Sequence, residues 1–114
     1  MFKAISRNRA EDPGAIKIGE ALENLKKLRE LHSYQNVIRK TGMVALMRGL
    51  LNCPNLEVLD VSDNFIKEEA GEELSKVVGK CNNLLSLNLS DCNMEKSEND
   101  LIVKSLEEVK IYIV

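Results

Sequence analysis

Asp60 with Asp63, Cys92 with His32, and Arg7 with Arg9 are the residues whose types could carry chemistry. Two neighbouring carboxylates can divide acid and base roles when burial raises one pKa. Asp60 and Asp63 sit on neighbouring faces of one expected strand end, not across a cleft, which argues against such a pair. A thiol beside an imidazole can act as a nucleophile. Cys92 and His32 fall on an inward and an outward position, far apart along the chain. Arginines near a phosphoryl-transfer site can stabilise charge on the transferring group. Here they flank Asn8, and the chain has no Gly-rich phosphate loop, so it is not expected to bind GTP itself. His32 is the sole histidine, and Cys53, Cys81 and Cys92 do not converge with it at metal-ligand spacing. Neither a metal nor a cofactor is expected.

The remaining signal is periodic. Leu28, Leu56 and Leu84 each open one phrase, 28 residues apart. Leu56-x-x-Leu59-x-Val61-x-x-Asn64-x-Ile66 is matched by Leu84-x-x-Leu87-x-Leu89-x-x-Cys92-x-Met94 and, earlier, by Leu28 through Ile38. This is a leucine-rich-repeat signature, with one strand and one helix per unit. The strands are expected near Lys3–Ser6, Glu30–Ser33, Val58–Ser62, Ser86–Ser90 and Lys110–Ile113. Alternation turns Leu31 and Ser33, Leu59 and Val61, and Leu87 and Leu89 inward. Helices are expected near Ala15–Lys27, Thr41–Asn52, Glu69–Lys80 and Glu98–Val109. Their apolar pairs Ile18/Leu22, Leu46/Leu50, Leu74/Val78 and Ile102/Leu106 face the sheet. Parallel strands joined by helices predict an α/β right-handed solenoid of about four 28-residue repeats, strands concave and helices convex. Asn8, Asn36, Asn64 and Cys92 form one column at the turn after each strand. Their expected role is structural: a buried side chain there satisfies backbone groups that lack a ladder partner.

Composition narrows the class. The chain has 114 residues, 16 basic and 18 acidic, and a net charge of −2. That length allows one domain. No basic stripe with interleaved aromatics suggests nucleic acid. No apolar run approaches the roughly 20 residues of a membrane span. The first residues carry no apolar h-region, which predicts no secretory signal. Three cysteines, an odd number, then point to reduced thiols in a cytosolic or nuclear protein. Cys53 and Cys81 share one position of the period and are expected to be buried small apolar residues.

The 28-residue unit with a full helix resembles the ribonuclease-inhibitor subtype of leucine-rich repeats. Four phrases go further. Ser6-Arg7-Asn8-Arg9-Ala10-Glu11-Asp12-Pro13-Gly14 resembles the Gly-Arg-Asn-Arg-Leu-Glu-Asn segment of Ran GTPase-activating proteins. Tyr34-Gln35-Asn36-Val37-Ile38 followed by Gly42 resembles that family's Gln-Asn-Gly-Ile…Gly. Asp63-Asn64-Phe65 is similar to its Asp-Asn-Thr-Phe, and Ser90-Asp91-Cys92 to its Asp-Cys turn. They occur in the family's order, from about Phe2 to Met94. The resemblance implies a scaffold that faces the small GTPase Ran in nucleocytoplasmic transport, in the cytoplasm or associated with the nuclear envelope. Such a protein is not itself an enzyme; it speeds hydrolysis by orienting the GTPase's own glutamine. The family's Arg-Asn-Arg segment is not an arginine finger, so Arg7 and Arg9 are expected in loop packing. Val37 departs from the family's glycine, and the expected last helix lacks its Gly and Ala pattern. The asparagine thought to order the glutamine lies, in the family, in the repeat before Arg-Asn-Arg. These 114 residues are therefore expected to lack activating power by themselves.

The exposed strand positions and exit turns nominate a polar, mildly acidic partner surface: Arg7, His32, Tyr34, Gln35, Asp60, Asp63, Asn88 and Asp91. Tyr and Arg often anchor such contacts, and carboxylates suit a basic partner. The alternative function is a generic leucine-rich-repeat adaptor for another protein. Both ends lack the polar caps usual for solenoids. That predicts a single leucine-rich-repeat domain over 1–114, truncated at both ends. The apolar Lys110–Ile113 strand would leave an edge open to self-association.

Overall fold

A computed structural model of the chain describes residues 2–4, 11–33, 38–66 and 69–92. Strands β1 (Phe2–Ala4), β2 (Glu30–His32), β3 (Val58–Asp60) and β4 (Ser86–Asn88) alternate with helices α1 (Glu11–Leu22), α2 (Lys40–Leu50) and α3 (Glu69–Lys80). The strands form one sheet in the order β1-β2-β3-β4, and every pairing is parallel. Parallel neighbours need a crossover, and the helices supply it. The expected helix Glu98–Val109 and strand Lys110–Ile113, with the self-association they suggested, lie outside the described residues.

The register is one period per strand. Leu31 pairs with Leu59 and Leu59 with Leu87; Lys3 stands beside Leu31 in the same row. Leu31, Leu59 and Leu87 are fully buried, as are Ser33 and Val61, with Leu89 nearly so. The inward rows are those the alternation predicts. Leu22, Leu46, Leu50, Leu74 and Val78 close the core from the helix side, while Ile18 is only partly buried against it.

Several element boundaries differ from expectation. The strands end at His32, Asp60 and Asn88, short of Ser33, Ser62 and Ser90. Cross-strand bonds continue past these ends, from Ser33 N–H to Asp60 O (2.8 Å) and from Val61 N–H to Asn88 O (3.1 Å). Side chains of the following turns then capture the backbone, and the extended form stops. β1 is described over Phe2–Ala4, in register with Glu30–His32, and the last residues of the expected Lys3–Ser6 strand lie outside the described residues.

Helix α1 is displaced most, at Glu11–Leu22 instead of Ala15–Lys27. Pro13 falls in its first turn, where a missing N–H costs no intrahelical bond. At the other end, Glu23, Asn24 and Leu25 donate three residues back, at 3.3, 3.2 and 3.0 Å. These tight turns unwind the helix and swing Leu28 into the core. Helix α2 runs Lys40–Leu50, not Thr41–Asn52, and closes in the same way; Asn52 Nδ2 adds a bond to Gly49 O at 3.2 Å. Helix α3 has its expected bounds.

The helix layer is not uniform. A Cβ at Gly19 would stand 2.5 Å from Ala45 O, and one at Gly49 would stand 2.8 Å from Gly19 Cα. Helices α1 and α2 therefore touch backbone to backbone, which only glycine allows at that separation. One period later the same two positions are Met47 and Val77, both fully buried. Between α2 and α3 the buried Glu73 carboxylate pairs with Lys76 (3.1 Å) and Arg48 (3.7 Å), and Arg48 also reaches Glu69 (3.0 Å). A buried charge persists only with such partners.

Candidate partner-binding surface

The outward row of the sheet is built by register alone. His32, Asp60 and Asn88 lie side by side on β2, β3 and β4. All three are half-buried, as are Glu30, Val58 and Ser86 in the parallel row two residues earlier. Glu30 Oε1 lies 3.2 Å from His32 Nε2 and belongs to the surface, although its charge alone did not single it out. Strand alternation carries the missing signal: residues two apart share a face.

Asp60 and Asn88 do the same local work. Asp60 Oδ1 accepts from Ser62 N–H (3.1 Å) and from Ser62 Oγ–H (2.7 Å). Asn88 Oδ1 accepts from Ser90 N–H (3.0 Å) and Ser90 Oγ–H (2.6 Å). Side chains that bond their own backbone two residues on close Asx-type turns. Immediately beyond, Asp63 (φ 56°) and Asp91 (φ 54°) adopt the left-handed conformation. Aspartate tolerates that region better than most residues. Both are exposed at the rim of the sheet, and Asp63 N–H bonds Ser90 O at 2.9 Å across the two turns.

The surface residues nominated by sequence thus divide. His32, Asp60 and Asn88 share the sheet face; Asp63 and Asp91 share the rim. Arg7, Tyr34 and Gln35 lie outside the described residues. Among the described residues the sheet face and the rim together are mostly polar and net acidic.

Beneath the rim sits Asn64, almost fully buried. Its Oδ1 accepts from Ile38 N–H at 3.0 Å. Its Nδ2 donates to Ser33 O (2.7 Å), Val61 O (3.1 Å) and Ser62 O (3.2 Å). Two amide hydrogens serve three carbonyls, so one bond is shared. Cys92 Sγ covers the corresponding carbonyls, Val61 O (3.2 Å) and Ser90 O (3.6 Å). A thiol has no amide oxygen to offer, and Ile66 N–H turns instead to Cys92's backbone O at 3.0 Å. Asn8 and Asn36 lie outside the described residues.

The cysteines are structural in their surroundings. Cys53 Sγ donates to Leu25 O (3.4 Å), and Cys81 Sγ to Cys53 O (3.4 Å), each one period back. Burial raises the Cys53 thiol pKa, and pushes Cys81 and Cys92 up to about 11. Such thiols are poor nucleophiles. Among the described residues no group of three His, Cys, Asp or Glu side chains is placed to hold a metal ion. None of their helices is long and apolar enough to cross a membrane. At the other end of the strands, just before β2 and β3, Arg29 and Glu57 form a bidentate pair that holds the Glu57 carboxyl below its ordinary pKa. On the helix side a hollow of about 370 Å³ is bordered by Ile16, Val44, Lys40, Arg48 and Glu69. Arg48 and Glu69 are already engaged with each other there.

A leucine-rich-repeat model matches residues 52–75 and 80–97. Ran GTPase-activating protein 1 of Saccharomyces cerevisiae is 35% identical over 107 residues, 91% of this chain and 26% of that protein. RAN GTPase-activating protein 2 of Arabidopsis thaliana is 32% identical over 82 residues, 71% of this chain and 15% of that protein. Protein NLRC5 of Ictalurus punctatus is 36% identical over 83 residues, 73% of this chain and 5% of that protein. The chain thus spans about a quarter, or less, of the length of these relatives. With parallel strands joined by helices and 28-residue leucine phrases, it is an α/β leucine-rich-repeat domain of the Ran GTPase-activating protein type.

Proposed function

We propose that this chain is part of a scaffold that binds the small GTPase Ran, in the form of a right-handed solenoid of about four 28-residue repeats. One observation carries the reading: 35% identity to the yeast Ran activator along 91% of this chain. The polar, net acidic sheet face and rim support it, since they suit a basic and polar protein surface. Direct contacts are assigned to His32, Asp63 and Asp91, with Arg7, Tyr34 and Gln35 contributed by the sequence pattern, while Asp60 and Asn88 stand on the same sheet face behind the rim. The scaffold contributes binding energy and orientation, and the chemistry stays in the GTPase. By the resemblance, the family's glutamine-ordering asparagine belongs to the repeat before the Arg7-Asn8-Arg9 segment, and binding without faster hydrolysis is the expectation for these 114 residues. A cytoplasmic or nuclear-envelope location goes with that role.

Single-turnover GTP hydrolysis by Ran with the chain added, run beside a pull-down, tests both parts. Retention of Ran with an unchanged hydrolysis rate is the expected result. A faster rate overturns the inactivity; no retention favours the second reading. That reading is a leucine-rich-repeat adaptor for a different protein, and the match to Protein NLRC5, a relative not named for Ran, speaks for it.

A further inference from the structure

We propose that Asp60 and Asn88 are positioning residues: they serve the partner surface by holding the turns that carry Asp63 and Asp91, and the Asp60 charge itself is dispensable. This rests on the partner-binding reading above and assigns roles within its surface.

The geometry separates two kinds of polar residue that look alike in the sequence. One oxygen of Asp60 accepts both the N–H and the Oγ–H of Ser62, at 3.1 and 2.7 Å. In the neighbouring turn the same two bonds, at 3.0 and 2.6 Å, go to the amide oxygen of Asn88. The two side chains occupy paired positions in adjacent strands. One is charged and the other neutral, yet each closes the same turn with the same atom type. A carbonyl-type Oδ1 is therefore the property the turn needs, and the negative charge is incidental to it. The residue that follows each serine is an aspartate in the left-handed conformation, at φ 56° and 54°. A backbone in that region is held by its neighbours rather than by its own preference. The bonds from Ser62 and Ser90 into Asp60 and Asn88 supply the hold on one side. The bond from Asp63 N–H to Ser90 O ties one turn to the next.

The experiment compares Asp60→Asn and Asp60→Ala in the full chain. Binding to Ran loaded with a non-hydrolysable GTP analogue is measured by titration. Amide hydrogen exchange is followed at Ser62 and Asp63. The expected result is that Asp60→Asn matches the wild type in both readouts. Asp60→Ala should speed exchange at both amides and weaken binding by roughly tenfold, while far-ultraviolet dichroism stays unchanged. Loss of binding in Asp60→Asn with protection intact would mean that the partner reads the charge, and overturns the proposal. Unchanged exchange at Ser62 in Asp60→Ala overturns it as well. If the wild type does not bind Ran, the partner assignment falls by itself. The exchange comparison still decides whether Asp60 holds the turn.

Discussion

Asn64 is the residue through which one period is fastened to the previous one. Its amide satisfies a donor at Ile38 and an acceptor at Ser33, both 26 or more residues away. Asn64→Ala removes those buried bonds, with the Ile38 N–H losing its acceptor, and should cost about 1–3 kcal/mol, read as a lower urea midpoint. Asn64→Cys should fall between the two, because Cys92 already performs the donor half of the work. An Asn64→Cys midpoint equal to that of Asn64→Ala would show that a thiol bond contributes nothing there. At this scale much was legible in advance. The asparagine column follows from spacing, and the buried turn role follows from the side chain's two-sided hydrogen bonding. The Asp60-x-Ser62 and Asn88-x-Ser90 phrases were equally visible as turn formers. Their charge and exposure drew attention first, and only the bonds to Ser62 and Ser90 separate holding a turn from meeting a partner.

At the scale of elements, the inward rows were readable because strands and helices repeat every two and about 3.6 residues. Helix α1 was not, since Pro13 reads as a boundary when it is a first-turn residue, and the apolar Leu25 and Leu28 extend a helical pattern that the backbone has already left. Backbone contact between α1 and α2 was hidden for another reason. Glycine spacing says nothing about which backbone lies opposite. Gly49→Ala should destabilise by about 1–3 kcal/mol, because its Cβ would meet the Gly19 backbone and α2 would have to shift. Gly79 is the control: nothing lies within 4 Å of a Cβ there, so Gly79→Ala should be neutral or stabilise by up to about 1 kcal/mol. Thermal melts of both variants check the contrast. A destabilised Gly79→Ala beside an unaffected Gly49→Ala would reverse the packing account.

Across the whole molecule, buried thiols tie stability to alkaline pH. An ordinary cysteine ionises near 9.0, whereas Cys81 and Cys92 keep their protons until about 11. The fold favours the neutral thiol, so its contribution is complete below pH 9 and is lost as pH rises toward 11. Urea midpoints taken below pH 9 and near pH 11 should differ in that direction. Cys81→Ala should shrink the difference, and an unchanged slope would point to other groups. Alkylation at neutral pH should likewise be slow without denaturant.

The Gly19–Gly49 contact also bears on how such a chain can be lengthened or shortened. Excising residues 33–60 would join His32 to Val61 with no change of phase, and β2 would meet β4 through the pairs it now makes with β3. On the strand side the units are interchangeable parts. On the helix side they are not: α1 would then face α3, with Val77 standing where Gly49 stood and Glu73 where Ala45 stood. The Cβ and branches of Val77 do not allow the backbone approach that Gly49 gives α1 now. A gene that gains or loses one 28-residue unit here keeps its sheet at once, and must then refit its helices one junction at a time.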